Sequence, residues 1–197
     1  VLYNARFSGF NTHAKLEGTH AFLSPSSPAW LRWTEERLED RLTTAQAAAL
    51  GTELHETAAR NIRRRIKLMP DDEYPVLAAY VNDAIDLRMT PEQALFYSFN
   101  CYGQADAISF DEDNMFLRVH DLKTGTSKAS MDQLYVYAAL FCLEYDFRPF
   151  EIEGELRIYQ GEVIYCDIDL EYLAHTVDMI YTSDKRIEEK RRMGGLF

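Results

Sequence analysis

The sequence lacks most of the features that would set it apart from an ordinary globular domain. Its three cysteines, Cys101, Cys142 and Cys166, are odd in number and unpaired in spacing, which excludes a zinc ribbon or a secreted disulfide framework. They read as small buried hydrophobes. Apolar runs such as Val76 to Tyr80 and Val136 to Leu143 are short, whereas a bilayer span takes about 20 residues. The amino end has neither the basic nor the apolar region of a signal peptide. A cytoplasmic protein with no membrane partner is therefore expected. Positive charge is scarce, with 21 Lys and Arg against 32 Asp and Glu and a formal net charge of −11. Net charge alone then draws in no nucleic acid, and any phosphate-bearing partner must be bound locally. No internal repeat or low-complexity segment is present.

What is present suits one domain over residues 1–197, since 47% of side chains are hydrophobic and 27% charged and a chain of this length can bury a core without staples. An amino-terminal arm and helix are expected over about 1–42. Ser27 can cap and Pro28 can open a helix through about Asp40. Thr43 and Gln46 form a capping-box pattern ahead of a long central helix over 45–67. A further helix runs to about Met89, where Thr90-Pro91 breaks it. The hydrophobic period then falls to two, predicting strands over 94–100, 104–110 and 115–123. A helix over 131–145, a hairpin of strands 150–159 and 162–168, and a helix over 171–192 complete the chain. This order means an α/β (α+β) fold with a central mixed sheet flanked by helices.

Two of these strands carry charge out of an apolar context. Asp121 and Lys123 are two apart and share a strand face that Leu117 and Val119 continue into the core. Asp106 lies on the preceding strand, and a hairpin would set its carboxylate beside that of Asp121. Such a pair repels unless a cation lies between. Mg²⁺ or Mn²⁺ takes carboxylate oxygens and keeps several waters, and a lysine alongside would orient the attacking water and stabilise charge on a phosphoryl group. That combination is metal-assisted phosphodiester hydrolysis.

Five motifs extend the pattern in order: Leu23-Ser24-Pro25-Ser26-Ser27, Gly51-Thr52-Glu53-Leu54-His55, Gly103 to Asp106, Asp121-Leu122-Lys123-Thr124-Gly125, and Gln133 to Tyr137. Together they resemble the PD-(D/E)XK nuclease superfamily, in particular its RecB-like and phage-type exonuclease branch. The resemblance implies a restriction-endonuclease-like core. It implies that His55, Asp106, Asp121 and the backbone carbonyl of Leu122 bind metal, that Lys123 is the catalytic lysine, and that Gln133 and Tyr137 hold substrate. Ser24, Ser26 and Thr124 are then expected at the nucleic acid. Tyr137 is equally well read as a core aromatic, since Leu134, Ala138 and Phe141 give its helix an apolar stripe. Glu53 and Glu56 are rival ligands beside His55, and an imidazole ligand favours Mn²⁺ over Mg²⁺.

Arg60, Arg63, Arg64, Arg65 and Lys67 follow His55 along the same helix. Arg60, Arg63 and Arg64 are expected to track a phosphate backbone. Trp30 and Trp33 are expected to be buried, and His120 to be structural. Two departures from the family matter. Three scattered cysteines cannot hold the four-cysteine iron-sulphur cluster of some relatives, and no G-x-x-x-x-G-K-[ST] motor loop is present. The expected activity is a Mg²⁺- or Mn²⁺-dependent deoxyribonuclease of bacterial or phage-infected cells, acting as an exonuclease in recombination or DNA processing. It would work on DNA ends as a homo-oligomer or with a recombination partner. The alternatives are a structure-specific endonuclease on the same scaffold and an inactive DNA-binding or assembly subunit.

Overall fold

The computed structural model describes residues 21–25, 28–70, 75–125 and 129–193. Two compact units divide the chain, Val1–Gln46 and Ala47–Phe197. In the first, a 3₁₀ turn covers Pro28–Arg32. Trp33 meets the Phe22 ring edge-on at 6.0 Å, with the Arg41 guanidinium 5.7 Å from its centre. Neither tryptophan is fully buried.

Helix α1 spans Glu35–Arg64, with α2 at Pro75–Asp86, α3 at Asp132–Tyr145 and α4 at Leu170–Arg192. The strands are β1 Thr90–Ser98, β2 Cys101–Asp111, β3 Phe116–Leu122, β4 Glu153–Gln160 and β5 Glu162–Asp167. They form one mixed sheet in the order β1-β2-β3-β4-β5, in which only the β3–β4 pair is parallel. A parallel neighbour needs a crossover, and α3 supplies it. One core layer joins Leu117, Val119, Leu156 and Ile158 of the sheet to Leu134, Ala138 and Phe141 of α3 and Leu173 of α4. A second joins Ala107, Leu122 and Tyr159 to Ala58 and Ile62 of α1 and Tyr80, Val81 and Ala84 of α2. Helices thus cover both faces. Among the described residues no helix is long and apolar enough to cross a membrane.

The observed elements differ from the expected ones in instructive places. The two helices expected on either side of Thr43 are one, because Thr44 donates its hydroxyl back to the Asp40 carbonyl at 2.8 Å instead of starting a new turn. The cap at its start is Thr34, whose hydroxyl accepts the Arg37 N–H at 3.2 Å. Helices α1 and α2 stop earlier than their apolar pattern because Arg65 and Arg88 adopt left-handed φ angles of 55° and 54°, whereas α3 ends at Tyr145 as expected, closed by Asp146 with φ of 59°. The next N–H in each case reaches back five residues, Ile66 to Asn61, Met89 to Ala84 and Phe147 to Cys142. This is the Schellman closure without its usual glycine. Pro91 does not precede the first strand but lies inside it, which an edge strand tolerates because one row of its N–H groups faces away from the ladder.

Beneath the sheet, His120 is fully buried and structural, as expected. Its Nε2 lies 3.4 Å from Glu155 Oε1 and its Nδ1 3.3 Å from the Tyr159 hydroxyl, which donates to Asp83 at 2.7 Å. Arg157 closes the network onto Asp83 and Glu155. Burial pushes the imidazole down from its ordinary value. Burial opposes ionisation of Glu155 too, yet hydrogen bonds from His120 and Arg157 bring it down to about 2.

The parallel pair has one strict steric requirement. Gly154 is paired with Leu117, and a Cβ there would lie 2.2 Å from the Leu117 carbonyl oxygen and 2.7 Å from Ile168 Cδ1. Gly154→Ala should therefore force β3 and β4 apart and cost about 2 to 3 kcal/mol. The check is a lower urea midpoint at unchanged slope.

Candidate functional site

The site begins where a β-ladder stops. Pairing of β2 with β3 runs from Asp111↔Phe116 to Ala107↔His120. Beyond that point the Leu122 N–H donates to the side chain of Asp106, at 2.9 Å from Oδ2. The following N–H, of Lys123, donates to the Tyr159 carbonyl at 2.9 Å. So β3 stays on β4 while a carboxylate of β2 fills the gap. Asp106 and Asp121 end up near each other without being locked together by a backbone pair. Leu122, expected as a carbonyl ligand, is fixed here through its N–H.

Around Asp106 a donor set assembles from three elements. His55 Nδ1 of α1 lies 3.4 Å from Asp106 Oδ2. Glu92 of β1 joins them, and one ligand atom from each of the three lies within 4.8 Å of the others. The hydrogen bond to Asp106 raises the His55 pKa, against the lowering effect of burial. Glu92 is held by the Gln104 side-chain amide. Its backbone is left-handed, with φ of 54°, between the regular pairs Pro91↔Ala107 and Gln93↔Ala105. A non-glycine residue in that conformation costs about 1 to 3 kcal/mol and persists where the surroundings impose it.

Glu92 is the member of this donor set that sequence reasoning missed. The rivals weighed there, Glu53 and Glu56, are helical neighbours of His55 and neither belongs to the set. The one available sequence signal was an acid directly after Pro91. Asp121 also stands outside the set. Its carboxylate is turned to Lys123, with Nζ 3.0 Å from Oδ1 and 2.9 Å from Oδ2. Only Oδ1 receives a well-aligned hydrogen bond, which leaves the buried Oδ2 with an ion pair alone. Lys123 Nζ donates a second bond to Gln133 Oε1 at 2.7 Å, and Gln133 Nε2 lies 3.5 Å from the Tyr137 hydroxyl. Asp121, Lys123, Gln133 and Tyr137 therefore form one chain of contacts from β3 to α3. Tyr137 packs against the core, as the apolar stripe of its helix implied, and its hydroxyl lies within reach of Gln133.

The motif glycines mark close approaches. A Cβ on Gly51 would lie 2.7 Å from Thr124 Oγ1, and one on Gly103 would lie 3.0 Å from Tyr137 Cε1. The first brings the turn after β3 against α1, and the second makes room for the α3 tyrosine against β2. Two grooves meet at the donor set. One, of about 550 Å³, is lined by His55, Glu92 and Gln104 and by Arg60, Arg63 and Arg64 of α1. The other, of about 480 Å³, is lined by His55, Glu92, Asp106, Thr124 and Gly125. The three arginines and Thr124 thus stand at the site's mouth. Ser24 belongs to the first unit, where its carbonyl accepts the Trp30 indole N–H at 3.0 Å. Ser26 lies outside the described residues.

Two acidic groups and a histidine close together suit a hard or borderline divalent cation such as Mg²⁺ or Mn²⁺. The field on Asp121 agrees with a site short of positive charge. Burial, and then the neighbouring charge of Asp106, push its pKa from 3.8 up to about 6, although Lys123 pulls it down. A carboxyl raised in this way gives stability that is complete below pH 3.8 and is lost as the pH rises through about 6. In metal-free protein Asp121→Asn, a neutral isostere, should raise stability at pH 7.5 by on the order of 2 to 3 kcal/mol. The gain should shrink steadily between pH 6.5 and 4.5. Thermal melts across that range with chelator present test the sign, and a loss of stability at pH 7.5 would contradict it. Comparison of the chain with family models, with curated proteins and with solved structures finds no match in any of the three.

Proposed function

We propose that this chain is a metal-dependent deoxyribonuclease of the PD-(D/E)XK type, built on a restriction-endonuclease-like core and acting on free DNA ends. The observation that carries this reading is the position of Lys123. Its ammonium is fixed between the Asp121 carboxylate and the Gln133 amide, one residue past the end of β3, whose Leu122 N–H is bonded to Asp106 of the His55–Glu92–Asp106 donor set. A surface ion pair would need neither the second donor bond nor the burial of Asp121, which is only 2% exposed.

His55, Glu92 and Asp106 would hold Mg²⁺ or Mn²⁺, and the ion when bound would supply a more acidic water and neutralise phosphoryl charge. The chain's own residues do the rest. Asp121 and Gln133 orient the Lys123 ammonium toward the scissile phosphate, where it stabilises the negative charge that grows on the non-bridging oxygens. Tyr137 fixes the Gln133 amide from behind. Water oxygen bonds to phosphorus, the P–O3′ bond breaks, and the 3′ oxygen takes a proton, so the products are a 3′-hydroxyl and a 5′-phosphate. Arg60, Arg63 and Arg64 hold the backbone that leads into the groove, which is how an acidic protein can bind a polyanion locally.

The decisive experiment incubates end-labelled linear DNA and closed circular DNA with Mg²⁺, Mn²⁺ or chelator. Linear DNA alone should be degraded, and only with metal. Cleavage of circles would favour the endonuclease, and binding without cleavage the inactive subunit. Lys123→Ala should reduce the rate at least 100-fold while DNA affinity changes less than about threefold; an unchanged turnover removes the proposed role. Glu92→Gln should raise the Mn²⁺ concentration for half-maximal rate by about tenfold or more. For Arg63→Ala with Arg64→Ala, the slope of log affinity against log salt should become shallower by about 1.5, as measured by titration between 50 and 200 mM salt.

A further inference from the structure

Among the described residues nothing covers the β1–β2 end of the sheet face beside the donor set, and that end is aromatic. Phe96, Phe99 and Tyr102 are 45%, 87% and 67% exposed. They touch one another, with ring centres 5.5 Å apart for Phe96–Phe99 and 6.3 Å for Phe96–Tyr102. Phe96 and Tyr102 are a cross-strand pair, and Ala94 and Gln104, also exposed, are the next pair along. The rings at this hairpin could have packed on α4. Instead α4 covers the other side of the turn, where Ser98 and Asn100 engage Asp184 and Asn100 also reaches Glu188.

Three exposed, mutually touching rings on an acidic protein are costly unless something covers them. From this platform we infer a base-stacking surface for the single-stranded part of the substrate, a reading that rests on the nuclease function proposed above. Two features favour nucleic acid bases over a protein partner. First, the platform continues into the cationic groove, because Gln104, two residues from Tyr102 on β2, lines that groove together with Glu92, Arg60, Arg63 and Arg64. Second, Tyr102 is four residues from Asp106, about 14 Å along a strand, which at the 3.4 Å rise of a stacked strand is at most about four nucleotides. One continuous strand can therefore lie on the rings and reach the donor set. Glu144, whose carboxylate accepts the Phe96 N–H at 2.8 Å, sets a limit on how a strand can lie there. Phosphate contacts are unfavourable there, whereas stacking needs none and tolerates any sequence. The division of labour follows: arginines hold phosphates near α1, and rings hold bases at the hairpin.

Fluorescence anisotropy of the full chain, in chelator to prevent cleavage, tests this with a labelled 12-nucleotide thymidine strand and an abasic strand of equal length. The wild type should bind the thymidine strand at least tenfold more tightly than the abasic one. Replacing both Phe99→Leu and Tyr102→Leu keeps apolar surface but removes two rings. That variant should lose about tenfold on the thymidine strand and little on the abasic strand, with an unchanged melting curve. The arginine variants should lose affinity for both strands equally. Equal binding of the two strands by the wild type, or equal losses on both by the leucine variant, overturns the inference and leaves the rings to a protein partner. That result would leave metal-dependent cleavage by the wild type intact. Failure of the nuclease reading would instead appear as absent cleavage with base-dependent binding retained.

Discussion

The hydrogen bond from the Leu122 N–H to the Asp106 carboxylate is the constraint on which the rest of the site depends. A β-ladder that continued would commit that N–H to a backbone carbonyl and bring the two aspartates face to face as a cross-strand pair. Ending the ladder at Ala107↔His120 frees β3 to follow β4 alone. The orphaned donor then needs an acceptor, since a buried N–H left without one costs as much as a lost hydrogen bond or more. Asp106 meets that need with one oxygen, and in doing so its carboxylate is fixed toward His55. A structural requirement of the backbone thus orients a functional group.

The same opening explains the uneven treatment of the two carboxylates. Asp106 is partly exposed and collects donors, namely the Leu122 amide and the His55 imidazole. Asp121 is buried and has only Lys123, with Asp106 close enough to disfavour its charge. Two acids in different surroundings are pushed toward different roles, one toward the donor set and one toward holding a cation of the protein itself. Glu92 strengthens the first role through a strained backbone in an edge strand. Strain of that kind can persist because the flanking pairs of β1 with β2 are regular and hold the residue in place.

What the sequence made legible follows from what kind of signal each feature leaves. Asp106, Asp121, Lys123, Gln133 and Tyr137 are regularly spaced within single elements, so the faces they share could be read from periods of two and of nearly four. The mixed sheet, the order of its strands along the chain and the flanking helices followed from the same periods. Glu92 left no such trace, because a left-handed φ at a glutamate has no compositional mark. The ends of α1 and α2 were misplaced for the same reason: Arg65 and Arg88 do what glycine ordinarily does. The spacing also suggested that Asp121 would share a cation with Asp106, yet only the folded geometry shows the carboxylate turned to Lys123. Gly51 and Gly103 could be seen as motif positions, but their purpose, room for Thr124 and Tyr137, exists only once distant elements meet.

On the nuclease function proposed above, the acidity of the chain restricts where a nucleic acid partner can lie. With a formal net charge of −11 the long-range field repels a polyanion, so affinity must come from contacts that act at short range. The described surface offers two of these along one strand of the sheet's edge: arginines on α1 bordering the groove, and rings at the hairpin. Screening by salt weakens the general repulsion and the arginine contacts together, while stacking is largely indifferent to it. A strand that enters over the rings would meet the repelling field with its bases already held, and would reach the donor set along the groove that Arg60, Arg63 and Arg64 line. On the proposed function, selectivity for ends and single strands would need no separate device, because an intact duplex keeps its bases stacked inside and has none to give to Phe99 and Tyr102.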